Sequence, residues 1–354
     1  MNIENNIIWK RLFLWLTAFA SAGALLCWLV SFIPPTEGYF WGIVALATPL
    51  VLIGNGVIGV GWLIARRWRI ALIPLVALGI NFGYVASMIQ FGWHSNNAPY
   101  DLRVATLNTA NFANQGEDRR METLDQIVRF GQQEKVDLFC MQEFTGYSKV
   151  ALDTLAMGVR AIYPYVVYGD GIAIASRYPI VNYTFKKFAN SGNDFMRGDV
   201  LVGEDTVSVF TAHLQSTGIS NLRHHYEHQL QQDVPLTEVV KSLEKNNRMR
   251  ANQVWEMRMK IDSTKHPVIL LGDFNDTPSS YTYRRMKGNL RDGFRDAGEG
   301  FGASFRGMKG VLRIDYIFYD DQLECVKYRT LEENLSDHKM VVADLKFRSS
   351  EKRR

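Results

Sequence analysis

Three long stretches without a charged side chain dominate the first quarter of the chain. They run over residues 12–33, 39–65 and 70–93. A helix needs about 20 apolar residues to cross a hydrocarbon core of roughly 30 Å, because each residue adds about 1.5 Å. Each stretch reaches or exceeds that length. The sequence therefore predicts a membrane anchor of three transmembrane helices over residues 1–95.

A cleaved signal peptide and a buried helical core are the alternatives to a membrane anchor. A signal peptide would also place Lys10 and Arg11 before an apolar run, but its apolar core spans about 7–15 residues. The run at 12–33 is longer, and two more follow it. Against a buried helical core, tryptophans at the margins of the stretches are typical of an interfacial aromatic belt. These tryptophans are Trp9, Trp41, Trp68 and Trp93.

The basic residues around the apolar stretches predict their orientation. Lys10 and Arg11 precede the first stretch, the turn at 34–38 has no basic residue, and the turn at 66–69 carries three arginines. Basic loops stay on the cytoplasmic side of a membrane. We therefore expect a cytoplasmic N-terminus and, after three crossings, residues 96–354 outside the cytoplasm. In a Gram-negative cell that compartment is the periplasm.

Beyond the anchor the composition changes to that of a folded domain. Residues 96–100 are polar and predict a short linker, residues 101–348 predict an α/β or α+β domain, and residues 349–354 form a polar tail. Apolar, strand-like runs alternate with helical patterns in this domain. The strand-like runs are 102–107, 136–141, 171–176, 206–214, 267–271, 313–319 and 340–347, and the helical patterns cover 120–134 and 247–261.

Composition and charge exclude several classes of protein. With 47% apolar and 21% charged residues, the chain is not disordered. Three cysteines cannot form a framework of disulfides. Residues 1–95 carry five basic and two acidic side chains, against 35 and 34 in residues 96–354. The second part is thus nearly neutral and lacks the basic surface expected of a strong non-specific nucleic-acid binder.

Polar residues recur where apolar strands end. Alone, each is explained as a turn former or a surface side chain. Together they predict one site, because open α/β folds assemble sites at the carboxyl ends of strands. Asn108 ends LRVATLN, Glu143 ends VDLFCMQE, His213 ends TVSVFTAH, Asp273 and Asn275 end PVILLGDFN, and Asp337 and His338 precede the last strand in LSDHKMVVADL.

As a set, these segments resemble a known family. TLNTAN, MQE, GIAIASRYPI, TAHLQ, GDFNDTPSS, RIDYIFY and SDHKMV occur over roughly residues 100–347 in the order of the endonuclease/exonuclease/phosphatase superfamily, the DNase I-like metal-dependent phosphoesterases. The resemblance implies a four-layer α/β sandwich of two packed sheets flanked by helices. Some bacterial members are similar to this chain in carrying a membrane anchor.

The resemblance also implies a divalent metal site. Glu143 would be the main metal ligand, with Asn108 and Asp337 close to the metal or the scissile phosphate. Such oxygen ligands suit Mg²⁺ best, with Mn²⁺ or Ca²⁺ as alternatives. Thr109 and Ala110 follow Asn108, where some nuclease members carry a further metal-site carboxylate. This departure does not support a second ion at that edge.

The remaining candidate residues take catalytic roles by the same resemblance. Asp273 would orient or deprotonate the attacking water. Asn275 and His213 would donate hydrogen bonds to the phosphoryl oxygens as charge develops there. His338, oriented by Asp315 of RIDYIFY, would complete the phosphate clamp.

Cys140 is predicted to be structural rather than catalytic. It lies three residues before Glu143. In an extended strand an odd offset places two side chains on opposite faces. We therefore expect Cys140 to pack in the core, away from the site.

Three functions are compatible with this sequence. The first is a phosphodiesterase that acts on lipid head groups, as sphingomyelinase-like members do, because the anchor and short linker keep the site near the bilayer. TAHLQS is similar to the histidine-containing segment of those members. The third is a non-catalytic membrane scaffold. Every expected catalytic position is filled, which argues against this third function. The sequence implies no protein partner.

The second function is a nuclease that degrades DNA or RNA outside the cytoplasm. Its support is the superfamily and the basic run NLRHHYEH at 221–228, in the insertion after His213. The run contains Arg223, His224, His225 and His228. A solvated helix or loop explains it equally well. The loops at 145–160, 186–198 and 215–246 are expected to select the substrate.

Overall fold

The computed structural model describes residues 3–35, 41–93, 98–146, 148–230 and 233–348. The chain divides into two compact units. The first comprises residues 1–86, 217–251 and 277–284, and the second comprises 87–216, 252–276 and 285–354. Most of the predicted linker at 96–100 can be followed from residue 98 onward, whereas the predicted tail at 349–354 lies outside the described residues. The predicted domain boundaries stay a prediction.

Ten helices are found in the described residues. They are α1 (Ile3–Val30), α2 (Trp41–Ile64), α3 (Trp68–Ile80), α4 (Phe82–Met88), α5 (Arg120–Gln133), α6 (Lys149–Arg160), α7 (Ile219–His224), α8 (Leu236–Asp262), α9 (Tyr281–Lys287) and α10 (Gly293–Ala297).

Fourteen strands accompany them in the same described part. They are β1 (Ile89–Phe91), β2 (Leu102–Asn108), β3 (Leu138–Phe144), β4 (Tyr165–Gly169), β5 (Gly171–Ser176), β6 (Ile180–Lys187), β7 (Asp194–Val202), β8 (Asp205–His213), β9 (Val268–Asp273), β10 (Arg291–Asp292), β11 (Glu299–Phe301), β12 (Asp315–Tyr319), β13 (Leu323–Leu331) and β14 (Met340–Phe347).

The apolar N-terminal helices have the dimensions of membrane spans. Helices α1 and α2 are each long and apolar enough to cross a bilayer, and α3 with α4 counts as a third span only if the bent pair crosses as one. Inside the first unit, polar side chains connect the helices. Asn55 donates from Nδ2 to Ala20 O at 2.8 Å, and Trp62 donates from Nε1 to Thr17 Oγ1 at 2.8 Å. Such bonds are typical of helices that pack in lipid.

The predicted third span at 70–93 is interrupted rather than one continuous helix. Helix α3 ends at Ile80, α4 follows with a bend of 60°, and β1 begins at Ile89. At the break, the Asn81 amide donates to Ala77 O at 2.9 Å and to Ala24 O of α1 at 3.0 Å. An asparagine that bonds nearby backbone competes with the helix ladder. Apolar composition predicted the stretch but gave no sign of this break.

The second unit is built on two six-stranded sheets, which confirms the predicted DNase I-like α/β fold. Their strand orders are β10-β12-β9-β8-β7-β6 and β13-β14-β2-β3-β5-β4. Each sheet contains one parallel pair, β8 with β9 and β2 with β3, and its other pairs are antiparallel. Strands β1 and β11 form a separate two-stranded ribbon.

Alternation along the strands decides which side chains reach the space between the two sheets. In β2, Leu102 and Val104 join the cluster shared by both sheets, whereas Ala105 and Leu107 join the cluster that packs on α5 and α6. Since side chains alternate with a period of two, Asn108 continues the inter-sheet side. By the same alternation, His213 lies on the same side of β8 as Val209. Asp273 lies on the same side of β9 as Leu271, and Asp315 lies on the same side of β12 as Ile317.

Candidate active site

One amide group joins the two sheets at the predicted site. Asn108, at the end of β2, donates from Nδ2 to Glu143 Oε1 and to Asp273 Oδ2, both at 3.0 Å. Glu143 lies on β3 in the same sheet, and Asp273 ends β9 in the other sheet. The structure therefore brings these three predicted residues into direct contact.

The orientation of the Asn108 amide is fixed by the backbone around it. Its Oδ1 accepts a hydrogen bond from Ala110 N at 3.0 Å, and its own backbone O accepts from Ser336 Oγ at 2.6 Å. A hydrogen-bond network of this kind assigns the two ends of an amide. Asn108 thus presents its NH₂ group, rather than its oxygen, to the carboxylates. Its predicted role as a metal ligand stays a prediction.

Glu143 is presented to the site by an irregularity in β3. The register with β5 shifts between Gln142 and Phe144, and Glu143 has φ of 52°. Left-handed backbone at a non-glycine residue is costly and clusters at active sites. The shift interrupts the alternation that was expected to place Cys140 and Glu143 on opposite faces. Cys140 is nevertheless fully buried in the inter-sheet cluster, where burial raises the pKa of its thiol.

A second asparagine holds the other oxygen of Glu143. Asn111 donates from Nδ2 to Glu143 Oε2 at 3.0 Å and accepts from Thr145 Oγ1 at 2.5 Å. The Glu143 side chain keeps 29% of its surface exposed. Each carboxylate oxygen has a further lone pair beyond the amide bond that it accepts. The carboxylate is thus held in position and open to a ligand.

Asp273 is buried and surrounded by amide donors. Its Oδ1 accepts from Asn275 N at 2.8 Å, and its Oδ2 accepts from Asn275 Nδ2 at 3.2 Å. Asn275, with φ of 51°, also donates to Leu214 O at 2.9 Å. Burial raises the pKa of Asp273 above its ordinary value, while His338 and His213 act in the opposite direction. A buried carboxyl group of raised pKa is suited to accept a proton.

His338 forms a buried pair with Asp315. Its Nδ1 lies 2.9 Å from Asp315 Oδ2, and its Nε2 lies 3.8 Å from Asp273 Oδ2. The register of β12 with β9 places Asp315 opposite Asp273. Burial alone would lower the pKa of His338, but the Asp315 and Asp273 carboxylates outweigh it and raise that pKa to about 10. At neutral pH the imidazole is therefore cationic and can donate from Nε2.

His213 and Asp337 complete the predicted set at different distances. His213 Nε2 lies 3.7 Å from Asp273 Oδ2 and 3.9 Å from Glu143 Oε1. Asp337 is exposed, and its Oδ1 accepts from Ser336 Oγ at 3.3 Å. Among the hydrogen bonds and ion pairs of the described residues, none joins Asp337 to Glu143. Seven of the eight predicted residues thus form one connected cluster. The eighth, Asp337, directly precedes His338 in the chain.

The donor chemistry of this cluster fits a divalent cation. Glu143 offers a carboxylate whose two oxygens are oriented by Asn108 and Asn111, which is the kind of outer support that metal ligands have. Ligand atoms of Asp273, Asp315 and His338 also lie within 4.8 Å of one another. These three are already engaged with each other and with amides, as described above. Glu143 is therefore the better candidate for the principal metal ligand.

Comparison with known protein families decides the class of this site. The sequence profile of the Endonuclease/Exonuclease/phosphatase family matches residues 105–338, which covers the whole cluster from Asn108 to His338. The chain belongs to this family. A profile described as a domain of unknown function matches residues 10–88. A comparison with curated proteins finds no match.

Solved structures show the same fold. An endonuclease/exonuclease/phosphatase family protein from Leptotrichia buccalis C-1013-b is 17% identical, covers 70% of this chain and 100% of its own, and has a TM-score of 0.50. An endonuclease/exonuclease/phosphatase from Beutenbergia cavernae DSM 12333 is 19% identical over 70% and 72%, with the same TM-score of 0.50. A humanized D. rerio TDP2 is 13% identical over 69% and 98%, also at 0.50.

Family membership makes this protein a phosphoester hydrolase. Members of the endonuclease/exonuclease/phosphatase family are phosphoesterases that use divalent metal ions. The buried acidic and histidine cluster of the second unit is consistent with that requirement. The solved structures share less than 25% identity with this chain, so they establish its fold and leave its substrate to be argued from its own residues.

Sequence reasoning missed several residues that shape the phosphoesterase site. Asn111 lies within TLNTAN, but the resemblance assigned it no role. Ser304 Oγ accepts from Asp315 N at 3.0 Å, and the Phe305 ring lies 4.9 Å from the His338 ring. Ser336, directly before Asp337, donates to the Asn108 backbone. The position of Asn111 and Ser336 within family motifs was the only signal for them, and no motif pointed to Ser304 or Phe305.

Proposed function

We propose that this phosphoesterase is a membrane-anchored, Mg²⁺-dependent phosphodiesterase that acts on lipid head groups. The observation that carries the proposal is that one chain combines the site around Glu143 and Asp273 with apolar helices of membrane-spanning length. The anchor keeps the site at the bilayer, where phosphodiesters of lipids are concentrated.

The metal side of the site centres on Glu143. A divalent ion held there supplies positive charge to the non-bridging phosphoryl oxygens. Asn108 and Asn111 keep the carboxylate in place by one hydrogen bond to each oxygen. Asp337 is proposed to approach the same ion or the scissile phosphate from the loop before β14.

The residues on the opposite side of the site accept the proton of the attacking water and stabilise the negative charge that develops on the phosphoryl oxygens. Asp273 orients the attacking water and takes its proton, because it is buried and its pKa is raised. Asn275 and His213 donate hydrogen bonds to the phosphoryl oxygens. His338 donates from Nε2, and Asp315 holds its ring in place through Nδ1. The new O–P bond forms as the P–O bond to the leaving group breaks, and the departing alkoxide takes a proton from solvent water.

The anchor favours a lipid over a soluble substrate. Tethering raises the effective concentration of a membrane substrate without any new contact. Nucleic acid would instead depend on phosphate contacts, and residues 96–354 carry 35 basic against 34 acidic side chains. We further propose the topology expected from the basic turns, with the N-terminus in the cytoplasm and the catalytic unit outside it.

A nuclease is the alternative function, and the family itself supports it. The basic run at 221–228 contributes little to this alternative, because Arg223 Nε lies 3.4 Å from Glu227 Oε1 and is partly neutralised. The side chains of His224 and His228 lie outside the described residues. The nuclease alternative therefore rests on family membership alone.

A direct comparison of substrates tests the proposal. Full-length protein in mixed micelles would be assayed with Mg²⁺, Mn²⁺ and Ca²⁺ on phosphatidylcholine, phosphatidylethanolamine, sphingomyelin and plasmid DNA, with Asp273→Asn as the inactive control. We expect turnover of at least one lipid to exceed nicking of the plasmid at matched metal. Faster nicking of DNA than of every lipid would replace the proposal with the nuclease. Inactivity on all substrates with all three metals would leave the scaffold.

A further inference from the structure

A small sheet of the second unit exposes large aromatic side chains. Strands β1 and β11 pair antiparallel, with Ile89 opposite Phe301 and Phe91 opposite Glu299. We call residues 89–93 and 299–301 the aromatic ribbon. Phe91, Trp93 and Phe301 are 72%, 83% and 75% exposed, and the rings of Phe91 and Trp93 stack with centroids 5.4 Å apart.

Three exposed aromatic rings on one short ribbon are an unusual grouping for a surface in contact with water. Single apolar residues on a surface need no explanation, but a group of them marks a site of protein or membrane interaction. Aromatic side chains, tryptophan above all, are enriched at the head-group level of membranes, where an amphipathic ring meets both lipid and water. The residue types of the ribbon thus favour a bilayer as its partner.

Chain connectivity limits how far the ribbon can lie from the membrane. Helix α4 ends at Met88 and β1 begins at the next residue, Ile89. A fully extended chain spans at most about 3.3–3.6 Å per residue, so Trp93 lies within about 18 Å of the end of α4. The chain itself therefore keeps the ribbon within this distance of the end of α4.

Hydrogen bonds fix the ribbon to the segment that shapes the active site. Gly302 N donates to Met88 O at 3.1 Å, and Arg313 Nη1 donates to Ser87 O at 2.9 Å. Arg313 is fully buried and forms two bonds to the Asp292 carboxylate, at 2.9 and 2.5 Å. It lies two residues before Asp315, the partner of His338.

The chain between the ribbon and Arg313 also contacts His338 itself. The Phe305 ring packs 4.9 Å from the His338 ring, and Arg306 N donates to Asp337 O at 2.8 Å. Phe301 of the ribbon is thus four residues before Phe305, which contacts His338.

We propose that the aromatic ribbon inserts Phe91, Trp93 and Phe301 into the head-group region of the bilayer that holds the anchor. This insertion sets the distance between the membrane and the His338 side of the active site. The membrane contact itself is independent of the substrate, whereas its effect on lipid turnover rests on the proposed function. A second copy of this chain or a soluble protein on the ribbon is an outcome that the experiment distinguishes.

Site-specific fluorescence tests the insertion without any measurement of activity. Phe301→Cys would be labelled with an environment-sensitive fluorophore in full-length protein reconstituted in phosphatidylcholine nanodiscs. The native thiols of Cys27, Cys140 and Cys325 are buried, so labelling is selective. Val181→Cys on β6, where the native side chain is 60% exposed, is the matched control.

The account predicts that spin-labelled lipids quench the fluorophore at residue 301 and leave the one at residue 181 unchanged. Equal emission and equal quenching at the two positions would overturn the proposal. Protection of residue 301 that depends on protein concentration in lipid-free micelles would also overturn it, since a second copy would then cover the ribbon.

A triple variant separates the membrane contact from the chemistry. Phe91→Ser/Trp93→Ser/Phe301→Ser should lower turnover of a vesicle-embedded lipid about 10-fold and leave hydrolysis of a soluble chromogenic phosphodiester unchanged. Val181→Ser, at an exposed position outside the ribbon, should change neither. Lipid turnover unaffected by the triple variant would contradict the proposed coupling. If wild-type protein turns over no lipid, the proposed function fails while the quenching result still decides the ribbon.

Discussion

At the scale of single residues, the Asn108 side chain connects the two functions of the site. It donates one hydrogen bond to Glu143, the proposed metal ligand, and one to Asp273, the proposed base. Because the two carboxylates lie on different sheets, the separation of the proposed metal ligand from the proposed base depends on this amide. The packing of the two sheets therefore determines how Glu143 and Asp273 are placed relative to each other.

The role of Asp273 leads to the first prediction. Asp273→Asn removes the group proposed to accept the proton of the attacking water while it keeps the volume of the side chain. Loss of a general base costs about 10²–10⁴-fold in rate, so kcat on a soluble phosphodiester should fall by that range. Asp170→Asn, at an exposed carboxylate, should leave kcat unchanged. Retention of most activity in Asp273→Asn would refute the assigned base.

The second prediction concerns Asn111, which holds Glu143 Oε2 by a hydrogen bond of 3.0 Å. Loss of an outer-sphere hydrogen bond typically weakens metal binding about 10–100-fold. Asn111→Ala should raise the Mg²⁺ concentration for half-maximal activity by that factor, with a smaller effect on kcat at saturating Mg²⁺. Asn289→Ala is the control, since Asn289 is exposed and lies outside the loops expected to select the substrate. An unchanged Mg²⁺ requirement would show that Asn108 alone positions the carboxylate.

The sequence predicted which residues form the site better than it predicted the directions of their side chains. Strand-end polarity and the family resemblance together selected Asn108, Glu143, Asp273 and His338, which the structure places in one cluster. The direction of Glu143 could not be predicted, because simple alternation ends at the register shift after Gln142. Such a shift depends on pairing with β5, which no local pattern contains.

At the scale of elements, the apolar runs were correctly predicted as strands, whereas the edge strands and the inner strand β7 were missed. The apolar runs at 102–107 and 171–176 became β2 and β5. Strand β6 has no comparable pattern, since it lies at the edge of its sheet and most of its residues are exposed. Helix α5 matches the pattern at 120–134, whereas α8 begins at Leu236, eleven residues before the predicted start. Its first turns carry Leu236, Val239, Val240 and Leu243 at helical spacing, so this part of the helix could have been predicted from the sequence and was missed.

Strand β7 begins with a buried carboxyl group that gives the second unit a pH-dependent stability. Asp194 is 1% exposed, and among the described residues neither of its oxygens has a hydrogen-bond partner. A Cβ on Gly171, whose φ is 122°, would lie 2.3 Å from Asp194 Oδ2, so glycine is required there. Burial raises the pKa of Asp194 to about 8, which Lys187 opposes and Asp170 reinforces.

This shift sets the sign of the third prediction. The ordinary pKa of an aspartate in an unfolded chain is about 3.9, so between about pH 4 and 8 the unfolded state loses a proton that the folded state keeps. Stability is therefore full below about pH 4 and falls as pH rises toward 8. The Tm of wild-type protein in detergent should decline more steeply from pH 5 to 8 than that of Asp194→Asn. Asp125→Asn, at a side chain that is 56% exposed, should follow the wild type. Parallel curves for the wild type and Asp194→Asn would contradict the account.

At the scale of the whole molecule, the basic turns predict on which side of the membrane the catalysis takes place. A phosphatase reporter that is active only outside the cytoplasm, fused after Arg354, should be active, and the same reporter inserted at 66–69 should be inactive. Three crossings and the cytoplasmic placement of the arginine turn require this pair of results. The reverse pair would place the hydrolase in the cytoplasm and favour soluble nucleotide or inositol-phosphate substrates.

The central claim is that Glu143 binds a divalent ion and Asp273 works beside it in phosphodiester hydrolysis. The most direct test is a Mg²⁺ titration of chelator-treated, full-length protein on a soluble chromogenic phosphodiester, with Glu143→Gln and Asp273→Asn measured in parallel. The account predicts no activity before Mg²⁺ is added, a higher Mg²⁺ requirement in Glu143→Gln, and a low kcat without a comparable change of Mg²⁺ requirement in Asp273→Asn. Full activity in the presence of the chelator, or a wild-type titration curve in Glu143→Gln, would contradict it.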